Sequence, residues 1–343
     1  MKIAIDSSPL ESGHSHRGVG GYTRNLINAL TKISGDIHPI NFQTHNNDLK
    51  HFNLLHYTYF DLFFRTLPNH YLKKSIVTVH DVIPLLYPKH YPPGIKGKIN
   101  FLIQKHNLQK AARIITVSET SKKDIVRFLK IDPNKIDVIY EAPVVRKSQV
   151  KVDTKLKLPN QFVLYIGDVN YNKNLITLAK ACEKAKTPLV IVGKSAATND
   201  FDKNHVENKS LLELLEKYGN SKNVIRLGYL TDTELNEVWS KATIYCQPSF
   251  YEGFGLPVLE AMQEGVPVIA SKTQALVETA GGAAIFADPK NVNSFAEKIE
   301  KLLSNKKLRV ELIKKGKAHI KKFSWEKAAY ETLETCKKAL RNV

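Results

Sequence analysis

The stretch Gln247-Pro248-Ser249-Phe250-Tyr251-Glu252-Gly253-Phe254-Gly255-Leu256-Pro257-Val258-Leu259-Glu260-Ala261-Met262 carries more chemistry than any other part of this chain. The apolar run Ile244–Gln247 reads as a strand that ends at Pro248. A glycine-bearing loop follows, and Pro257 sits where a helix can start. Such a loop and the helix N-terminus behind it supply backbone N–H groups that cradle an anion. Glu252 lies in the loop and Glu260 one turn into the helix, so the two carboxylates reach separate parts of one ligand. Carboxylates beside an anion site suit hydroxyl recognition, because they accept strongly from sugar OH groups. The plain alternative is a capped helix with two solvated glutamates.

Working outward, the same strand–loop–helix unit recurs along the chain. Ile3–Asp6, Ile76–His80, Ile114–Ser118 and Ile136–Tyr140 read as strands in the first part. Phe162–Gly167, Leu189–Gly193, Val224–Gly228, Val266–Ser271 and Ala284–Ala287 join Ile244–Gln247 in the second. Most are unbroken rather than alternating, as in parallel strands buried on both faces. Between them lie helical spacings such as Tyr22, Leu26, Leu30 and Ile33. Capping boxes are expected at Ser121-x-x-Asp124 and Thr231-x-x-Glu234. Alternating strands and helices predict an α/β fold of two doubly wound parallel sheets, with the site between them at the strands' carboxyl ends. The segment near Pro143–Leu158 carries charge without a core pattern, which sets the expected domains at 1–150 and 151–322. A closing helix, 323–343, is capped by Ser324 and buries Trp325, Ala328, Ala329, Thr332 and Cys336.

Bulk properties narrow the classes. At 343 residues, 43% hydrophobic and 24% charged, both halves can bury a core. No apolar run approaches the ~18 residues that cross a bilayer. Met1–Asp6 meets an acid after three apolar residues, which reads against a signal-peptide core. Cys182, Cys246 and Cys336 lie far apart, which argues against a disulfide framework or a cysteine zinc site. The expected location is cytoplasmic. The net charge is +18, and from Lys89 to Lys130 ten basic residues face only Glu119 and Asp124. That density suits an anionic lipid surface, a phosphorylated substrate or nucleic acid, or is simply a solvated face.

Three further places carry candidate chemistry. Gly18-Val19-Gly20-Gly21-Tyr22 precedes an amphipathic helix, and its glycines either let backbone N–H groups approach an anion or form a flexible turn. His80-Asp81 ends a strand; His80 reads equally as a site residue or as a satisfied structural histidine. Gly167-Asp168-Val169-Asn170-Tyr171-Asn172-Lys173-Asn174 leaves a strand and enters a helix. There Lys173 either neutralises a diphosphate as a point charge or is solvated.

Taken together, these residues resemble the retaining glycosyltransferases of family 4, which have the GT-B fold. YEGFGLPVLEAM with Gly265–Ser271, VTVHDVIPLLYP around His80-Asp81, Arg113–Ser118, Gly281–Pro289 and the closing Phe323-Ser324-Trp325 helix fall in family order over nearly the whole chain. The resemblance implies that the closing helix crosses back to the first domain. It implies that Glu252 contacts donor-sugar hydroxyls and Glu260 the nucleotide ribose. Backbone N–H groups of Phe254, Gly255 and Leu256 would meet the sugar and diphosphate. Lys173 would pair with the diphosphate, Gly20 and Gly21 would approach it from the first domain, and His80 would lie beside the donor sugar near the reaction centre. Catalytic roles thus fall to His80 and Glu252. Stabilising the departing nucleoside diphosphate is the largest contribution available, with no required metal and no cofactor beyond the nucleotide-sugar substrate.

The chain departs from many members in having Asp168 after Gly167 and Asn172 before Lys173. Lys173 would then carry the phosphate charge alone or share it with Arg17, Arg24 or Lys194. HDVIPL with GDVNYNKNL looks most like members that transfer mannose from GDP-mannose, with a UDP-sugar as the alternative donor. The implied acceptor is a glycan or a lipid-linked glycan. Lys89–Lys130, with Ile99, Leu102, Ile103 and Leu108 interleaved, would dock peripherally on the inner face of an anionic membrane. A basic nucleic-acid- or ligand-binding protein without catalysis is the rival of another class. It would leave Glu252 and Glu260 unused and shows no recognition module, so no nucleic-acid partner is expected.

Overall fold

Runs such as Ile3-Ala4-Ile5 and Leu189-Val190-Ile191-Val192 are β-branched or apolar at every position, so they are stable only with both faces covered. The computed structural model, which describes residues 1–13, 15, 18–44, 46–144 and 156–341, places them in two all-parallel sheets. The chain divides into two compact units, Met1–Ala142 with Phe323–Val343, and Pro143–Lys322. Residues 145–155, where the boundary at 150 was expected, lie outside the described residues, as does Arg17.

The first unit holds β1 (Ile3–Asp6), β2 (Ile37–Ile40), β3 (Leu54–Tyr57), β4 (Ser75–Thr78), β5 (Arg113–Thr116) and β6 (Ile136–Val138), in the order β2-β1-β3-β4-β5-β6. Its helices are α1 (Gly18–Ile33), α2 (Ile83–Leu86), α3 (Gly94–Lys110) and α4 (Glu119–Asp124). Strand alternation splits the core. Ile3, Ile5, Leu54, Ile76 and Ile115 pack with Leu26 and Leu30 of α1, while Ala4, Leu55, Tyr57, Val77 and Ile114 form the opposite face.

Two strands, β2 and β3, escape the apolar-run reading. β2 carries Pro39, which is tolerated because β2 lies at the sheet edge. β3 is interrupted by His56, whose ring is fully buried and bonded through Nε2 to Thr78 Oγ1 at 2.9 Å. The cap of α4 also differs from expectation. Ser118, not Ser121, accepts the capping bond, from the Ser121 N–H at 2.9 Å, and Asp124 ends the helix. The box expected at Ser121 therefore sits one turn too late.

The second unit holds β7 (Val163–Ile166), β8 (Leu189–Val192), β9 (Val224–Leu227), β10 (Ile244–Gln247), β11 (Val268–Ser271) and β12 (Ala284–Ala287), in the order β12-β11-β10-β7-β8-β9. Its helices are α5 (Leu175–Lys184), α6 (Lys209–Tyr218), α7 (Asp232–Lys241), α8 (Leu256–Glu264), α9 (Gln274–Ala280), α10 (Val292–Ser304) and α11 (Lys306–His319). Thr231 and Glu234 close the expected capping box of α7. The chain winds outward from β7 through β9, then returns to β10 on the other side of β7. The β7/β10 boundary is thus the topological switch point, where loops diverge and leave a crevice.

α12 (Trp325–Leu340) belongs to the first unit. Ser324 caps it, and Ala328, Ala329, Cys336 and Ala339 enter the core beneath α1. Asp137 of β6 anchors it, accepting from Arg113 Nε at 2.7 Å, Lys338 Nζ at 2.8 Å and Thr335 Oγ1 at 3.1 Å. Burial opposes the Asp137 charge, but these partners outweigh it and hold its carboxyl below the usual range. Asp137→Ala should cost about 2–3 kcal/mol, because Arg113 is left nearly buried without its partner. Urea unfolding reads this directly, and an unchanged midpoint would remove Asp137 as the anchor.

Candidate active site

The loops leaving β7 and β10 are laced together at the switch point. The Phe250 N–H donates to the Asn172 carbonyl at 2.7 Å, and Asn172 Nδ2 returns a bond to the Tyr251 carbonyl at 3.1 Å. Asn174, in a left-handed conformation with φ +56°, donates to Pro248 O and Pro289 O. Asn172, one of the two departures from the family pattern, thus fixes the β10 loop. Asp168, the other, accepts from Ser195 Oγ at 3.2 Å. The loops after β7 and β8 also approach closely, for a Cβ at Gly193 would lie 2.2 Å from Gly167 O.

This lacing brings two of the expected residues together. Lys173 Nζ donates to both oxygens of Glu252, at 2.9 and 2.8 Å. Glu252 is nearly buried, its side chain 7% exposed, while Lys173 is 24% exposed. Oε1 of Glu252 also accepts from Ser249 Oγ at 2.6 Å and Gln247 Nε2 at 2.8 Å. Tyr245 donates to Gln247 from below, and burial, with Tyr165, Glu252 and Glu260 nearby, pushes the Tyr245 phenol far up. Three bonds therefore load Oε1 and one loads Oε2, which leaves Oε2 acceptor capacity for a hydroxyl. Gln247 and Ser249 went unremarked in the sequence. Their signal was their position at the last residue of a strand and just after it, where an α/β site is built.

Gly255, with φ +95°, forms the N-cap of α8, and Pro257 lies in its first turn. A Cβ at Gly255 would meet Leu276 Cδ2 at 2.5 Å, so that position is fixed sterically as well. Phe254 is buried, its carbonyl accepting from Thr279 Oγ1, and Leu256 opens the helix. Glu260 lies one turn further on, half-buried. The Val258 N–H makes the first bond of this turn, to the Gly255 carbonyl at 3.0 Å, and the helix dipole places positive potential at this end.

In the first unit, Gly20 and Gly21 belong to the first turn of α1 itself rather than to a loop before it. Tyr22, next in sequence, sets its ring edge-on to His80 with centroids 4.7 Å apart. His80 is held at both nitrogens, Nδ1 3.2 Å from Glu141 Oε1 and Nε2 3.1 Å from the Thr58 carbonyl. Two acceptors suit a ring carrying both protons. Burial alone would lower the His80 pKa, but Glu141 and the Thr58 carbonyl outweigh it, and the net shift is upward. Glu141 was given no role in the sequence, although it directly follows the expected strand Ile136–Tyr140.

The described residues contain no cluster of histidine, cysteine or acids arranged to hold a metal ion, and no helix long and apolar enough to cross a membrane.

The chain is similar to known proteins in sequence and in fold. The family described as Glycosyl transferases group 1 matches residues 147–319, and Glycosyltransferase Family 4 matches residues 34–142. The O-antigen chain mannosyltransferase B of Escherichia coli is 31% identical over 287 residues, which is 78% of this chain and 71% of that protein. The serotype-specific mannosyltransferase WbdA of Escherichia coli is 26% identical over 276 residues, 76% of this chain but 33% of that longer protein. Among solved structures, a sucrose-phosphate synthase from Thermosynechococcus elongatus superposes with a TM-score of 0.71 at 20% identity, over 97% of this chain and 98% of the other. With two parallel six-stranded sheets and a loaded carboxylate–lysine pair at the switch point of the second, the chain belongs to the group 1 glycosyl transferases and has the GT-B fold.

Proposed function

We propose that this glycosyltransferase moves mannose from GDP-mannose to a glycan or lipid-linked acceptor with retention at the anomeric carbon. The observation that carries the reading is the buried Glu252 paired with Lys173 beside the N-terminus of α8. The mannosyltransferase names of its Escherichia coli relatives support the choice of sugar.

In this reading Glu252 Oε2 accepts from donor-sugar hydroxyls and Glu260 from the ribose. Lys173 and the first-turn N–H groups of Gly255 and Leu256, with that of Phe254, stabilise the charge that develops on the leaving diphosphate. Retention places the acceptor on the face of the leaving phosphate, whose oxygen takes the acceptor proton, so no side chain acts as general base. His80 fits a scheme without a general base, since its two ring nitrogens are already engaged, with Glu141 and with the Thr58 carbonyl. The reading needs no resident metal. It places the enzyme in the cytoplasm, with its acceptor presented at the inner face of a membrane.

Calorimetric titration with GDP, UDP and ADP, in the presence of a chelator, tests the donor. GDP should bind alone of the three, and Glu260→Ala should weaken it roughly tenfold to a hundredfold, the range for a charged hydrogen bond. Binding of UDP in place of GDP would overturn the donor assignment, and a need for added metal would overturn the charge assignment.

A further inference from the structure

At the carboxyl ends of the first sheet, His80 sits between two groups that accept hydrogen bonds. Thr58 offers Nε2 a backbone carbonyl at 3.1 Å, and Glu141 offers Nδ1 a carboxylate oxygen at 3.2 Å. A carbonyl has no proton to give, so Nε2 must carry one. The carboxylate makes the same demand of Nδ1, unless the proton moves to Glu141 and the pair becomes neutral. An ordinary glutamic acid releases its proton about two pH units below an imidazolium, so the proton belongs on the ring. That leaves the imidazole charged.

Both partners are themselves fixed. Thr58 Oγ1 donates to the Asp6 carbonyl at 3.0 Å and accepts from Thr23 Oγ1 at 2.9 Å, which ties Thr58 to β1 and α1. Glu141 follows β6, whose pairing with β5 continues in the bond from the Ile139 N–H to Thr116 O at 2.8 Å. The Tyr22 ring lies edge-on to the imidazole, held by its hydroxyl 3.2 Å from Thr78 Oγ1. The side chains of His80 and Glu141 are 16 and 9% exposed, so water screens their attraction little.

The other titratable groups around the ring do not replace Glu141. Burial by itself would discharge His80, and the hydrogen bond and charge of Glu141 come first among the effects that reverse it. Asp81, next in the chain, adds a weaker attraction. His56 on β3 stays neutral near pH 7, since burial pushes its pKa down to about 3. Tyr22 of α1 remains a neutral phenol, because burial raises its pKa.

We propose that Glu141 is a positioning residue which, with the Thr58 carbonyl, keeps His80 doubly protonated and in one orientation, so that the ring meets the donor sugar as a fixed positive charge. The proposal rests on the reading that His80 lies beside that sugar, and Glu141 acts only through the ring. A ring with both nitrogens occupied cannot take the acceptor's proton. What it brings is charge, next to a centre whose leaving group becomes more negative.

Nitrogen NMR of histidine-labelled protein tests the first half without any substrate. The His80 signals, assigned as those missing from His80→Gln, should both be of the protonated kind at neutral pH. In Glu141→Gln the Thr58 carbonyl still requires a proton on Nε2, while the new amide donates to Nδ1, so the ring should be neutral with one bare nitrogen. Turnover tests the second half. Wild-type kcat should decline as pH rises through the raised His80 value, above 6.5. In Glu141→Gln the decline should move to more acidic pH, lowering kcat at neutrality by roughly tenfold to a hundredfold, and acidification should restore most of it. GDP affinity should stay nearly the same, which also reports folding. A purely structural role would lower kcat without moving its pH profile, so superimposable profiles would overturn the proposal. A neutral His80 ring in wild type would do so as well, whether or not the variant folds, as would identical His80 signals in wild type and Glu141→Gln. Absence of transfer from any donor would sink the transferase reading instead, and the nitrogen spectra would still decide whether Glu141 holds the charge on His80.

Discussion

Replacing Glu252 by alanine should lower kcat by two to three orders of magnitude while changing GDP affinity by no more than a few fold. The loss of one preorganised charged contact to a reacting group costs about 10²–10³ in turnover, and this carboxylate is preorganised by four bonds from Lys173, Gln247 and Ser249. Its Oε2 is the oxygen left with capacity for a sugar hydroxyl. GDP carries no sugar, so a contact to the sugar leaves GDP binding nearly intact. Glu252→Gln separates charge from shape. It keeps an acceptor for Ser249 but removes the anion that holds Lys173, and it should fall between wild type and alanine. A carboxylate with a purely structural role behaves differently, because removing one partner of a buried pair destabilises by about 3–5 kcal/mol and GDP binding and turnover would then fall together. Steady-state kinetics beside GDP titration and urea unfolding distinguish the two. Unchanged kcat in the alanine variant would remove Glu252 from the site.

Much of this arrangement is readable from local pattern, and the rest depends on pairing that local pattern does not encode. Among the described residues, ten of the twelve strands are short apolar runs with clear ends. Pro39 and His56 hide the other two, because an edge position and a partner on β4 compensate residues that look wrong in isolation. Glu252, Glu260, Lys173 and Gly255 stand out because glycine, proline and charge crowd the ends of strands. That Lys173 meets Glu252 does not follow from either segment, since they lie 79 residues apart and join only because β10 returns beside β7. Gln247, Ser249 and Glu141 are ordinary polar residues whose importance comes from what they touch. The apolar residues among the lysines of α3 are visible in the sequence, but of those expected on its outer face Ile99 and Leu102 are exposed, while Ile103 and Leu108 turn inward. Which of them point outward is decided by Gln104 and Asn107, buried amides that periodicity alone would assign to water.

Between pH 6.5 and about 5 the protein should lose stability as the medium becomes more acidic, and His56 should account for a distinct part of that loss. The ring is fully buried, Nδ1 has no hydrogen-bond partner, and the Nε2 bond to Thr78 Oγ1 suits the neutral form. Burial, reinforced by repulsion from His80, pushes its pKa from 6.5 down to about 3. Below 6.5 the unfolded chain therefore takes up a proton that the folded chain refuses. Stability is fully present above the unfolded value and declines toward the folded one, by about 1.4 kcal/mol per pH unit where the difference is complete. His80 acts with the opposite sign. Its folded pKa is raised, so its contribution is whole below 6.5 and is lost as pH rises through the folded value. The two rings, His56 on Thr78 and His80 on the Thr58 carbonyl, thus pull the pH dependence in opposite directions. Urea unfolding of wild type and His56→Leu at several pH values resolves the contribution. The variant should be less stable near pH 7, having lost the Thr78 bond, yet its stability should fall less steeply on acidification. Equal slopes in the two proteins would mean that His56 becomes protonated within the folded state, which requires water or a counter-charge to reach Nδ1 and would break the buried Tyr22–Thr78–His56 chain on which His80 rests.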